Sequence, residues 1–240
     1  MDEKDRSEDT RFDPGKRPGS FWMRFVLGAI AVFVIWYFFV RPDTFTLPLE
    51  SQAQLLSLAR QQLVASVSGD DVITVDPSEV SDPLLRDGAA FVSIEVDGAL
   101  RGCMIDAFEP HEPLYLNVIH NAELAARADE RFAPLREDEL ERTRITVSVV
   151  YNVQPVRFST PDGLVDRLEP FVDGVILTVD GVDATYLPTV WETFSEPEEF
   201  LSELCVKAGW SADRWRTELY PEVRTYAVFP FSESPPASSD

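Results

Sequence analysis

Apolar positions form one unbroken run near the start of the chain and recur with helix or strand periods after it. From Phe25 to Val40 every residue is uncharged and apolar or small, and Phe21, Trp22 and Met23 extend the run to twenty residues interrupted by Arg24 alone. At about 1.5 Å per residue, a helix of that length crosses a hydrocarbon core about 30 Å thick. Arg24 lies one turn inside the end, where its charge can snorkel to head groups. Trp22 at one end and Trp36 and Tyr37 at the other suit interfacial aromatic belts. A cleaved leader has a shorter apolar region and small residues at the cut, whereas Phe38-Phe39-Val40-Arg41-Pro42 stands here. Residues 21–40 are therefore read as a single transmembrane helix. Arg11, Lys16, Arg17 and Arg24 precede or open it, and only Arg41 follows before Arg60. The positive-inside rule then puts the N-terminus in the cytoplasm and the following domain outside it.

Around this helix the pattern predicts a disordered tail over 1–20, a linker over 41–50, a folded domain over 51–230 and a disordered tail over 231–240. Ser51 is placed to cap a helix whose Leu55, Leu58, Ala59 and Leu63 share a face and which ends near Gly69. Residues 70–87 read as loop. Ala89–Val96 reads as a strand, Asp97-Gly98 as a two-residue hairpin turn, and Ala99 to Ile105 as the return strand. Pro113 opens a helix that stops by Asp129. Further strands are expected at Arg144–Val153, Val172–Val179, Val182–Leu187 (after a second Asp-Gly turn) and Arg224–Phe229. A helix over Glu196–Ala208 carries Phe200, Leu201, Leu204 and Cys205 in one stripe, and Gly209 stops it. Strands and helices mix without a βαβ repeat, so the expected class is α+β with a mainly antiparallel sheet and flanking helices.

Charge narrows the function classes. The formal net charge is -21. Residues 1–41 carry seven Lys/Arg and six Asp/Glu, so the remainder holds 14 basic against 36 acidic residues. A surface this negative repels nucleic-acid phosphates, and no nucleic-acid partner is expected. Lysine is nearly absent, at Lys4, Lys16 and Lys207 only. With two cysteines, two histidines and no Cys-x-x-Cys, the spacing offers no four-ligand zinc cluster, and no metal or cofactor is expected.

The chemistry-bearing stretch is Leu100-Arg101-Gly102-Cys103. An arginine two positions from a cysteine favours the thiolate, and Gly102 permits close approach of backbone or ligand. Strand alternation puts Arg101 and Cys103 on one face, where Arg101 is an anion anchor if the face lines a cleft and a surface ion-pair partner if it does not. Cys103 is either a nucleophile or a small buried hydrophobe. His111, within Glu109-Pro110-His111-Glu112-Pro113, reads as a solvated turn residue, and His120 as a satisfied helix histidine. Arg131 is placed to reach a carboxylate or the end of the preceding helix. Trp191 reads as core.

Taken in order, these pieces resemble the AMMECR domain family over about residues 51–230. Its L-R-G-C-I-G hallmark stands as Leu100-Arg101-Gly102-Cys103-Met104-Ile105, and Glu-Pro-x-x-Pro-Leu as Glu109 to Leu114. D-P-R-F-x-P-L stands as Asp129 to Leu135, V-S-V as Val147 to Val149, and D-G-L/V-I as Asp173 to Ile176. L-P-Q-V-W stands as Leu187 to Trp191, and E-F-L-x-x-L-C-x-K-A-G as Glu199 to Gly209. The resemblance implies a two-lobed α+β domain around a cleft, with Gly102, Arg131 and Thr189 beside Arg101 and Cys103 at a ligand site. Ile105 replaces the hallmark's closing glycine and Thr189 the glutamine, which implies an altered site. Two readings follow. One is a divergent binding or interaction module, held at the membrane by residues 21–40, for a protein partner or a small anionic ligand. The other is an enzyme using Cys103 as nucleophile or redox thiol, with Arg101 holding an anionic substrate. The resemblance links that second reading to a modification pathway with Memo-type and radical S-adenosylmethionine companions. Outside the cytoplasm, a Cys103–Cys205 disulfide is a third, structural role.

Overall fold

A computed structural model describes residues 45–217 and 221–235. The tail 1–20, the apolar run 21–40 and the start of the linker lie outside the described residues. Among those described, no helix is long and apolar enough to cross a membrane.

Six antiparallel strands form one sheet in the order β2-β1-β3-β6-β4-β5. The strands are β1 (Ala89–Val96), β2 (Ala99–Met104), β3 (Thr143–Pro155), β4 (Gly174–Val179), β5 (Val182–Tyr186) and β6 (Glu222–Ser232). The helices are α1 (Leu49–Ser68), α2 (Leu114–Arg127), α3 (Pro161–Val165) and α4 (Pro197–Lys207). The α+β class expected from the sequence is the class observed. Both Asp-Gly pairs make the hairpins. Asp97 and Gly98 have φ of 53° and 79°, and Asp180 and Gly181 of 52° and 79°, the left-handed pair that a two-residue turn needs to follow the strand twist.

Alternation along the strands sorts the core into three parts. Ala90, Val92 and Ile94 of β1 and Ile145, Val147 and Val149 of β3 pack on α1 and α2. Val175 and Leu177 of β4, Ala184 of β5 and Val223 of β6 pack with Leu164, Trp191, Phe200, Leu204 and Trp215. The intervening residues Phe91, Val150, Ile176 and Tyr226 join Phe108 in a third group. On β6, Phe229 and Phe231 face the first core and Val223 the second, all at odd positions, whereas Tyr226 faces the third. The helices therefore cover one face of the sheet in two blocks, and the third group lines the other. Each fully buried Leu, Ile or Phe contributes about 1.5–3 kcal/mol by leaving water. The two expected lobes are two cores hung on one continuous sheet.

Three expectations are corrected. Ser51 is not a cap: α1 starts at Leu49 after Pro48, and Ser51 is buried, 3.1 Å from the Ser81 hydroxyl. The C-terminal tail does not begin at 231, because β6 runs through Ser232 beside β3 and Glu233 pairs with Arg60. No disulfide joins the cysteines: both are free, and Cys205 is fully buried in the second core.

Candidate functional site

β2 and β5 are the two edges of the sheet, yet Arg224 of β6 reaches both sides, pairing with Glu109 just after β2 and with Asp183 of β5 at 2.7 Å. The sheet thus curls until its edges face each other. Cys103 lies on the first edge. Its sulfur accepts the Ser93 hydroxyl across the hairpin at 3.2 Å and packs toward the third core. Its backbone N–H donates to the Asp129 carboxylate at 2.9 Å. Asp129, 4% exposed, also takes Arg131 through Nη2 at 2.7 Å, and Arg131 Nη2 lies 3.3 Å from the Cys103 carbonyl. Of the two placements open to Arg131, a carboxylate or the helix end, the structure shows the carboxylate, that of its neighbour Asp129.

From the other edge comes Lys207, the last residue of α4. Its ammonium donates to the Thr185 carbonyl at 2.7 Å and stands 4.9 Å from the Tyr186 ring centroid. It makes no ion pair among the described residues. Behind it the Tyr226 hydroxyl, within the third core, lies 2.9 Å from the Thr185 hydroxyl and donates to the Tyr186 carbonyl at 3.1 Å.

Electrostatics follow from this crowding. Burial pushes the Cys103 thiol up, and the Asp129 charge adds to it, against the opposing pull of Ser93, Arg131 and Lys207. Lys207 is solvent-exposed, but surrounding protein and the like charge of Arg131 lower its pKa. Burial works against ionising Asp129, and the hydrogen bonds from Arg131 and Cys103 outweigh it, so its pKa falls. A half-buried thiol held in its protonated form is a weak nucleophile. A lysine and an arginine close enough for their charges to act on one another can together attract an anion.

Arg101 does not share the Cys103 face. The β1–β2 register shifts between Ile94 and Glu95, leaving Arg101 as the extra residue of a bulge, and a bulge re-aims side chains. Its guanidinium donates to both Glu139 oxygens, at 2.9 and 3.2 Å, and to the Ala133 and Pro134 carbonyls at 2.6 and 3.1 Å. With those four bonds it pins the loop after α2, and the anion it holds is Glu139. Gly102 is a packing glycine: a Cβ there would stand 2.2 Å from the Ala125 carbonyl oxygen of α2. Thr189 is exposed on the 3-10 turn Pro188–Glu192, and no side-chain hydrogen bond ties it to the Cys103 cluster. Ile105 packs against the third core. An open depression of about 390 Å³ lies elsewhere, between Pro155–Phe158 and Pro221–Arg224.

Sequence reading missed Lys207 and Asp129 as site residues. The signal for Lys207 was its isolation: it is the one lysine after position 16 in a strongly acidic chain.

A family model described as AMMECR1 matches residues 56–229. A protein of Thermofilum pendens is 36% identical over 183 residues, covering 70% of this chain and 83% of that protein. One of Methanothermobacter thermautotrophicus is 31% identical over 173 residues, covering 72% of this chain and 88% of that protein. The crystal structure of an uncharacterised protein from Pyrococcus horikoshii superposes with a TM-score of 0.71 at 27% identity, covering 80% of this chain and 96% of that one.

Proposed function

The chain belongs to the AMMECR1 family, and on that footing we propose that its domain is a binding module that takes a small anionic ligand between the sheet edges, at Lys207 and Arg131. One observation carries the reading. The Lys207 ammonium is held by the Thr185 carbonyl, makes no ion pair among the described residues and feels the like charge of Arg131, in a chain of net charge -21. An acidic protein has every opportunity to pair that lysine internally, and a bound anion would relieve the mutual repulsion of the two cations. The thiol-enzyme reading draws less support, since burial raises the Cys103 pKa and no histidine contacts it.

Calorimetry of the full chain in detergent micelles with inorganic phosphate, and separately with a dicarboxylate such as succinate, tests the module. One charge-assisted contact is worth about 1.5–3 kcal/mol, so Lys207→Met should weaken saturable binding about tenfold or more. Absent binding, or equal binding by the variant, would overturn the reading.

We further propose that residues 21–40 hold this domain at a membrane, with the domain on the extracytoplasmic side. The support is the apolar run and the basic residues before it. The chain should stay in the membrane fraction through an alkaline wash, and a cysteine introduced by Glu79→Cys should react with an impermeant maleimide in intact cells. Release by the wash, or protection of that cysteine, counts against the two halves of the proposal respectively.

A further inference from the structure

The chain has two histidines, His111 and His120, and the fold brings both to the same carboxylate. Glu112 Oε1 lies 3.9 Å from His111 Nε2 and 3.7 Å from His120 Nδ1. Asp106 Oδ2 lies 3.0 Å from His111 Nε2. One ligand atom each of Asp106, Glu112 and His120 falls within 4.8 Å of the others. Two ligands bound about 2.0–2.2 Å from a tetrahedral zinc ion stand roughly 3.3–3.6 Å apart. The three histidine–carboxylate separations lie around that spacing, and the Asp106–Glu112–His120 set lies within the wider 4.8 Å, with His111 alongside. Sequence distance hid the cluster: Asp106, His111 and Glu112 sit on the loop from β2 to α2, and His120 lies two turns along α2.

The loop is held in place. The Gly88 N–H donates to the Glu112 carbonyl at 3.1 Å, and the Leu114 N–H to the Arg86 carbonyl at 2.9 Å. Pro110 and Pro113 flank the histidine and glutamate. Behind the carboxylates stand two fully buried amides. Asn117 Nδ2 donates to Asp106 Oδ1 at 2.9 Å and lies 3.3 Å from Glu112 Oε1, and Asn121 Nδ2 donates to Asp106 Oδ1 at 3.2 Å. The Oδ1 of Asn121 is buried with no partner. Asn117 Oδ1 is itself anchored by the Ala90 N–H of β1 at 3.0 Å. The core amides hold Asp106 Oδ1 and leave its Oδ2 facing His111, and Asn117 also steadies the Glu112 Oε1 that faces both imidazoles, an outer shell of the kind that orients metal ligands. The imidazoles are about half exposed, at 48% and 47%, so an ion can enter and keep a water-accessible position.

We propose that Asp106, His111, Glu112 and His120 form a surface site for a divalent transition-metal ion of the zinc class. Two nitrogens and two carboxylate oxygens suit Zn²⁺ or Co²⁺ and fall well short of the six to eight oxygens that Ca²⁺ takes. The two carboxylates neutralise the ion, and the site is separate from the Lys207–Arg131 cluster, so each proposal can fail without the other.

The test uses the full, tag-free chain in detergent micelles, stripped with a chelator and titrated with Co²⁺ by absorption and with Zn²⁺ by calorimetry. One ion per chain is expected, with visible Co²⁺ bands of a low-coordinate site. Since both histidines belong to the site, their ring signals in nitrogen-correlated NMR should move together and saturate at one Zn²⁺. His120→Ala and Glu112→Gln should each weaken binding about tenfold or more. Glu123→Gln, on the same helix and paired with Arg127 at 3.8 Å, should change nothing. His120 is exposed, so its variant tests the site even if Glu112→Gln fails to fold. No saturable binding, or binding that His120→Ala retains in full, would overturn the proposal.

Discussion

The Asp129 carboxylate accepts the backbone N–H of Cys103 at 2.9 Å, so a residue just past the end of α2 fixes the course of an edge strand. An edge strand has one side without a ladder partner. Here a buried carboxylate, itself neutralised by Arg131 at 2.7 Å, takes the place of a neighbouring strand.

Removing that carboxylate should be costly and pH-dependent. Asp129→Ala strands the Cys103 N–H and frees a half-exposed Arg131, and losing a charge-assisted acceptor of this kind costs about 1.5–3 kcal/mol. Burial raises the Asp129 pKa, but the Arg131 and Cys103 hydrogen bonds prevail and hold it below the ordinary carboxylate range. Its contribution is therefore complete above the unfolded pKa of about 3.9 and is lost as pH falls through the lower folded value. Urea unfolding at neutral pH and near pH 3 should show a larger difference from wild type at the first than at the second. An equal difference at both contradicts the assignment.

Gly102→Ala should lower stability by about 1–3 kcal/mol, the usual range for overpacking, because the new methyl meets the Ala125 carbonyl oxygen. The obstacle is backbone, so Ala125→Gly added to Gly102→Ala should not restore the melting temperature. Recovery in the double variant would mean that the clash is with a side chain.

Much of this architecture was legible because it is local. Asp-Gly pairs between apolar runs are turns through their own φ preferences, and the stripe Phe200, Leu201, Leu204, Cys205 needs no partner to be read as a helix face. What escaped depends on distant residues. Strand alternation placed Arg101 beside Cys103, but the bulge opposite Ile94 and Glu95 turned it to Glu139. The strand expected over Arg224–Phe229 stops short of Pro230, yet β6 passes through it. Beyond Tyr226, β6 pairs with β3 alone, and a proline is tolerated where no ladder bond is required of its nitrogen. The reach of the Lys207 charge to the Cys103 edge arises from the curl of a whole sheet, which no window of sequence records. The convergence of His111 and His120 on Glu112 needs both the helix period and the fold of a proline-bounded loop.

Cys103 should alkylate slowly. Burial and Asp129 raise its pKa against the pull of Ser93, Arg131 and Lys207, so the thiolate fraction near neutral pH falls below that of a free cysteine. Iodoacetamide labelling followed by mass spectrometry should modify Cys103 far faster in urea than in the native state. Raising the pH from about 7 to 9 should speed the native reaction, since deprotonation supplies the nucleophile. Native labelling as fast as a free thiol at neutral pH would return the nucleophile reading to the front.

The last strand should prove to be fastened at its far end by one carboxylate. Glu233 pairs with the Arg60 guanidinium of α1 through both oxygens, and its Oε2 accepts the Ile145 N–H at 2.9 Å. Arg60 also donates to the Leu140 and Thr143 carbonyls at 3.1 and 3.0 Å. Helix α1, the turn before β3, and the end of β6 thus meet at one guanidinium, with side chains only 28% and 21% exposed. Glu233→Ala leaves Arg60 its carbonyl acceptors but removes the charged partner and the Ile145 acceptor, at a cost of about 1.5–3 kcal/mol. Glu233→Gln keeps one acceptor oxygen and should fall between. Partial burial shields the pair from counterions, so most of the difference should persist in high salt. Chemical unfolding of the three proteins at low and high salt reads these outcomes directly. If Glu233→Ala matches wild type, the C-terminal end of β6 contributes nothing to the stability of α1, and the sequence expectation of a loose tail from 231 regains its standing.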